Sequence, residues 1–146
     1  MKIKDVLAVK GHEVITINQD KTVFEAMGVF AKHRVGSLLV LDDQKNIVGI
    51  IAARDVLMQV LNNYEKIKEI KVSEIMTKDI IVGKSDDELE YVEAVMTENR
   101  IRHLPVIDES ELVGIISIGD IVKARLKEVH VENRYLRDFI GGKYPG

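Results

Sequence analysis

Cysteine is absent from the chain. That excludes a disulfide framework and any cysteine-based metal or redox site, and it allows a reducing compartment without requiring one. Aromatic residues are sparse, four tyrosines and three phenylalanines, and the net charge of −3 leaves no excess of positive charge. A chain without a basic, aromatic-studded surface argues against nucleic acid and against an anionic membrane as partners. Long apolar runs are missing too. The longest, Ile47 to Ala53, falls far short of the roughly 20 residues that a bilayer-spanning helix needs. Met1 to Ala8 alternates charged and apolar residues with no apolar h-region, so no secretory signal is expected and a soluble, cytoplasmic protein is. No Gly-x-Ser-x-Gly elbow, Gly-x-x-x-x-Gly-Lys loop or Gly-x-Gly-x-x-Gly fingerprint occurs. His12, His33 and His130 have no metal-ligand spacing. The chain is therefore expected not to be an enzyme.

What is there is a repeat. About 65 residues separate Gly49-Ile50-Ile51-Ala52-Ala53-Arg54-Asp55 from Gly114-Ile115-Ile116-Ser117-Ile118-Gly119-Asp120. The match runs backwards: Arg34 to Asp42 aligns with Arg100 to Asp108, and Val14-Ile15-Thr16-Ile17 with Ile80-Ile81-Val82-Gly83. With 46% hydrophobic residues the chain has enough to build a core. Each copy reads as strand, helix, strand, strand, helix. In the first, Val14 to Ile17 is a short β-branched strand, and Thr22 with Glu25 forms a capping-box pattern that starts a helix carrying Val23, Ala26, Met27, Phe30 and Ala31 as one apolar stripe. Leu38 to Leu41 and Ile47 to Ile51 flank a polar turn and read as a hairpin, and Arg54-Asp55 opens a helix that ends near Asn62-Asn63. The second copy predicts a strand at Ile80 to Val82, a helix from about Asp86 to Asn99, strands at Leu104 to Ile107 and Leu112 to Ser117, and a long helix from Asp120. Leu136, Phe139 and Ile140 continue the apolar positions of that helix, and Gly141-Gly142 ends it. The division is a first copy over 1–64, a charged linker over 65–71, a second copy over 72–126 and a helical extension over 127–146.

These residues resemble a tandem pair of CBS (cystathionine-β-synthase) domains, the unit called a Bateman module, over roughly Ile3 to Leu126. The second copy carries the family's marks: Gly114, Ile115, Ile116, Ser117 and Asp120, preceded by His103-Leu104-Pro105-Val106. The first departs from them, with Ala52 where a hydroxyl is expected and Gly36-Ser37-Leu38-Leu39 in place of the His-Leu-Pro segment. The resemblance implies an α/β module of two pseudo-symmetric repeats, with clefts between them that bind adenine nucleotides. The tail is similar to that of small stand-alone bacterial CBS-pair proteins.

Under that resemblance, Asp120 at the start of a helix can accept hydrogen bonds from both vicinal hydroxyls of a ribose. Ser117, three residues earlier, can donate to a phosphate or ribose oxygen near the helix N-terminus. Arg102 and His103 can place positive charge over phosphates. The adenine ring is expected in an apolar slot lined by residues near Thr77 to Ile81 and Val106. Asp55 is the first copy's counterpart of Asp120. Each residue also has a plainer account. Asp120 and Asp55 fit helix N-caps, Ser117 a strand-end hydroxyl bonded to backbone, and His103 a core-edge imidazole. Arg100 and Arg102 fit solvated charges, Pro105 a strand start or edge, and Arg125, Lys127, Arg134 and Arg137, interleaved with Glu128, Glu132 and Asp138, a solvated helix face.

The function expected is a non-catalytic regulatory module. An adenine nucleotide (AMP, ADP, ATP or NAD, with S-adenosylmethionine a further candidate) binds between the repeats and shifts the geometry of a homodimer, signalling to an unknown protein client. Ile121, Val122 and Leu126, or the corresponding faces of Val56 and Leu57, are the expected dimer contacts. The alternative is a structural or interaction module with vestigial pockets, which Ala52 supports.

Overall fold

The computed structural model describes residues 1–140, with side chains described through Val129. Two compact units are present, one formed by Glu13–Val82 and the other by Met1–His12 together with the chain from Gly83 onward.

In the Glu13–Val82 unit, β1 (Thr16–Asn18) lies parallel to β2 (Ser37–Leu41), which pairs antiparallel with β3 (Ile47–Ala52). Between β1 and β2 runs α2 (Val23–His33). The Thr22 hydroxyl accepts the Glu25 N–H and the Glu25 carboxylate accepts the Thr22 N–H, both at 3.2 Å, so two backbone donors at the helix start are satisfied reciprocally. The hairpin turn is built on Asp42, whose Oδ1 accepts the N–H groups of Gln44 and Asn46 at 2.9 and 2.8 Å. After β3 come α3 (Ala53–Asn63), a short 3-10 turn over Tyr64–Lys66, and α4 (Val72–Ile75). The segment expected as a charged linker takes part in the core: Ile67 is buried with Val23, Ala26, Leu38, Val40, Ile51 and Val72.

In the other unit, α5 (Leu89–Glu98) precedes the hairpin of β4 (His103–Asp108) and β5 (Glu111–Ser117), and α6 (Ile118–Ile140) follows it. The two hairpins are in the same register. Val40 faces Gly49 and Val106 faces Gly114, and each ladder slips at the next residue, between Val40 and Leu41 and between Val106 and Ile107. The fold is mixed α/β, and each sequence copy builds the same hairpin. The expected helix over Asp86 to Asn99 begins three residues later, at Leu89. Leu136, Phe139, Gly141-Gly142, Arg134 and their neighbours in the tail lie outside the residues whose side chains are described.

Two elements depart from expectation. The strand predicted over Ile80 to Val82 is not formed. Ile80 turns its N–H back to the Lys78 carbonyl at 3.0 Å, and the stretch is left with one parallel bridge, Gly83 to Val106. Met1 to Ala8, read as an alternating segment, instead contributes to α1 (Ile3–Lys10), a helix that buries Ile3, Val6 and Leu7. Their i, i+3, i+4 spacing makes one narrow apolar face.

Helices α1 and α4 are counterparts. Lys2-Ile3-Lys4-Asp5-Val6-Leu7 matches Lys71-Val72-Ser73-Glu74-Ile75-Met76 in apolar pattern and in charge except at Lys4, where the counterpart is Ser73. Their backbone bonds repeat as well. Ile3 and Lys4 donate to the carbonyls of Asp87 and Ser85, and Val72 and Ser73 donate to those of Lys21 and Gln19. Leu7 then covers Gly114 and Met76 covers Gly49, so a Cβ at either glycine would meet the covering side chain at 2.9 or 2.5 Å. Here glycine is required by close approach.

Candidate functional site

The site grows from the β5 to α6 junction. Ser117 ends the strand and caps the helix. Its hydroxyl accepts the Asp120 N–H at 3.1 Å, and Asp120 Oδ2 accepts the Ser117 N–H at 2.8 Å. The helix-cap account of both residues is therefore correct for their first hydrogen bonds. Across the hairpin, Ser117 faces the half-buried His103. Arg102 accepts the Ile118 N–H at its carbonyl, 3.0 Å, and leaves its side chain exposed.

A residue that the sequence reading did not single out completes the group. Lys10, the last residue of α1, donates its Nζ to Asp120 Oδ2 at 2.5 Å and to the Ile115 carbonyl at 2.7 Å. The pair is partly exposed, with the Lys10 and Asp120 side chains 32% and 21% accessible to solvent. One residue beyond Gly11, the His12 ring bonds the Val113 carbonyl at 2.7 Å through Nδ1. Lys10 and His12 thus occupy carbonyls of β5 that no third strand covers among the described residues.

These contacts set the charge states. Burial pushes the Asp120 carboxyl up, but the Lys10 hydrogen bond, the Ser117 N–H and the Lys10 charge outweigh it and hold the group below the ordinary carboxylate range. Burial pushes the His103 imidazole down, and the Lys10 and Arg102 charges add to that against the opposing pull of Asp120. His103 is therefore neutral near pH 7, a hydrogen-bonding group rather than the cation the sequence reading allowed. Beside the Lys10–Asp120 pair a groove of about 610 Å³ opens between α1 and α6, lined among others by Val6, Val9, Lys123 and Ala124. That volume suits a small organic ligand.

The other expected site residues lie elsewhere. Val106 is fully buried in β4, bridged to Gly83 and paired with Gly114. Thr77 and Ile81 belong to the Glu13–Val82 unit. There Thr77 exchanges two backbone bonds with Ile50, at 2.9 and 3.0 Å. Asp55 is in the same unit and caps α3 by accepting the Ala52 N–H at 2.8 Å. Ala52 has no hydroxyl to return the bond. The buried Ser37 faces Ala52 where His103 faces Ser117. Among the described residues there is no cluster of three or more His, Asp or Glu side chains fit to hold a metal. No described helix is long and apolar enough to cross a membrane.

The model of the CBS domain family matches residues 3–62 and again residues 72–127. The mitochondrial CBS domain-containing protein CBSX3 of Arabidopsis thaliana is 34% identical over 97% of this chain and 73% of its own length. Some relatives are much longer: the match, 38% identical over 86% of this chain, covers 24% of an inosine-5′-monophosphate dehydrogenase from Methanocaldococcus jannaschii. The crystal structure of the CBS-domain containing protein ATU1752 from Agrobacterium tumefaciens superposes with a TM-score of 0.81 at 35% identity, covering 85% of this chain and 92% of that one. The CBS domain pair of protein MJ0100, solved in complex with 5′-methylthioadenosine and S-adenosyl-L-methionine, superposes with a TM-score of 0.77 at 26% identity, covering 88% of this chain and 98% of that one.

Proposed function

Because the chain belongs to the CBS domain family, with both copies matched, we propose that it is a non-catalytic sensor of an adenosine-containing ligand, an adenine nucleotide of the AMP, ADP, ATP or NAD type. The observation that carries this reading is the Ser117–Asp120 pair at the head of α6, whose carboxylate lines an open groove of ligand size. An ionised carboxylate held below the ordinary range accepts hydrogen bonds and gives none, which matches the two donors of a ribose diol. The adenosine compounds bound to the MJ0100 pair give the reading a precedent in a related fold.

A sensor without its own catalytic group acts on something else, so the proposal includes a homodimer and a protein client. Val122 and Leu126 on α6 are 51% and 63% exposed, and Leu57 and Leu61 on α3 are 56% and 69% exposed. Large apolar side chains left in water at helical spacing suit a second copy of the chain. Ile121 and Val56, expected among these contacts, are instead buried in the core at 2% and 6% exposure, because their side chains point inward from the same helices. The alternative of a vestigial pocket is favoured in the Glu13–Val82 unit alone, where Ala52 lacks the hydroxyl.

The test is thermal unfolding with AMP, ADP, ATP, NAD and S-adenosylmethionine, for the wild type and Asp120→Ala. A ligand at about 100 times its dissociation constant adds about 2.7 kcal/mol, a rise of several degrees in Tm. The expected result is a rise in the wild type that Asp120→Ala loses. If no adenosine compound moves the wild-type transition, the reading is wrong.

A further inference from the structure

We propose that Lys10 is a specificity-determining residue of the Asp120 site: it pairs with the carboxylate and selects ligands whose ribose carries an anionic substituent. The inference rests on the reading of Asp120 as a ribose acceptor and names the chemical class that site takes.

The argument starts from lone pairs. A carboxylate oxygen has room for about two donors. Asp120 Oδ2 already has two, the Ser117 N–H and the Lys10 ammonium, while Oδ1 has no hydrogen-bond partner among the described residues. A ribose diol that places one hydroxyl on each carboxylate oxygen needs an acceptor position on Oδ2. The Ser117 N–H is fixed by the helix cap, so the group that yields is Lys10, which sits at the end of a flexible four-carbon stem. Once displaced, the ammonium keeps the Ile115 carbonyl but loses its counter-charge in a partly exposed position. A charge-assisted hydrogen bond lost without replacement lowers affinity. A phosphate on the incoming ligand restores the partner. A neutral thioether does not, and a sulfonium adds a repelling charge.

Lys123 and Lys127 line the groove with Lys10, and Asp5, Asp120 and Glu128 match them in number. Glu128 is shared with Arg125 at 3.6 Å. The preference for an anion therefore rests on Lys10 released from Asp120 and not on the net charge of the groove.

The Glu13–Val82 unit contains the contrasting case within the same chain. At the position equivalent to Ile115, the Ile50 carbonyl is taken by the Thr77 backbone N–H rather than by an ammonium. Asp55 makes no ion pair among the described residues. The lysine is thus specific to the Asp120 site and is not a general feature of the repeat.

Calorimetric titration of the full chain with AMP and with 5′-methylthioadenosine tests this, on the wild type, Lys10→Met and Lys10→Arg. The wild type is expected to bind AMP about tenfold or more tighter than the thioether, the scale of one charge-assisted hydrogen bond. Lys10→Met keeps the apolar stem and is expected to lose most of that ratio, with thioether binding unchanged or improved. Lys10→Arg retains it. Circular dichroism confirms that each variant is folded. Binding of both compounds with the same ratio in wild type and Lys10→Met overturns the inference and leaves the Asp120 reading standing. Failure of both compounds to bind the wild type overturns the two together.

Discussion

Asp120 and His103 lie side by side, and both are shifted downward, yet their linkage to folding occupies different pH windows. For Asp120 the folded carboxyl titrates below its ordinary value of 3.8, so its contribution is complete above that value and is lost as pH falls through the folded one. His103 titrates below its ordinary 6.5 because the fold favours the neutral ring. Between the folded value and 6.5 the unfolded chain binds more protons, so stability declines as pH drops through that interval. The expected outcome is a urea midpoint that falls on acidification from about pH 7 to about pH 5, and a smaller fall in His103→Asn. An equal fall in both proteins would place the titrating group elsewhere. At this scale much of the site could be read directly: Ser117 and Asp120 are three residues apart at a strand-to-helix junction, and capping is a local interaction. Lys10 could not be, since it stands 110 residues from its partner in the chain and no periodicity links them.

At the scale of elements, the hairpins and helices α2 and α3 follow from local pattern. Continuous apolar runs around a polar turn, and a threonine three residues before a glutamate, dictate them without reference to the rest of the chain. Helix α1 escaped because eight residues with three charges show little periodicity in isolation, and its role becomes visible only when Lys2 to Leu7 is set beside Lys71 to Met76. These short helices explain the two glycines they cover. At Gly49 an added Cβ meets Met76 at 2.5 and 2.8 Å and the Thr77 carbonyl, a backbone atom, at 3.0 Å. At Gly114 the contacts are Leu7 methyl groups at 2.9 and 3.1 Å. Overpacking of this kind costs about 1 to 3 kcal/mol. Gly49→Ala is expected toward the upper end and Gly114→Ala toward the lower, because a backbone carbonyl yields less readily than a side-chain methyl. Denaturant midpoints of the two variants check the order, and the reverse order would contradict this packing account.

For the whole molecule, the exposed apolar positions of α3 and α6 are the feature that an isolated chain does not explain. Leu126→Glu and Leu61→Glu place a charge where the proposed second copy would bury a side chain. Light scattering is expected to report a dimer for the wild type and a smaller species for at least one variant. A wild type that is monomeric at high concentration would remove the dimer from the proposal.

The amino-acid sequence by itself determined the duplication, which is legible by comparing its own segments, and the two hairpins and the caps that open the helices, which depend on residues within a few positions of one another. The tertiary structure alone decided that α1 joins the unit of the second copy, that Lys10 holds Asp120, that Ile121 and Val56 are core while Val122 and Leu57 are exposed, and that Thr77 bonds Ile50. Those outcomes depend on which distant segments cover which faces. A local pattern narrows that choice, but only the burial of apolar surface and the pairing of charges across the folded chain resolve it.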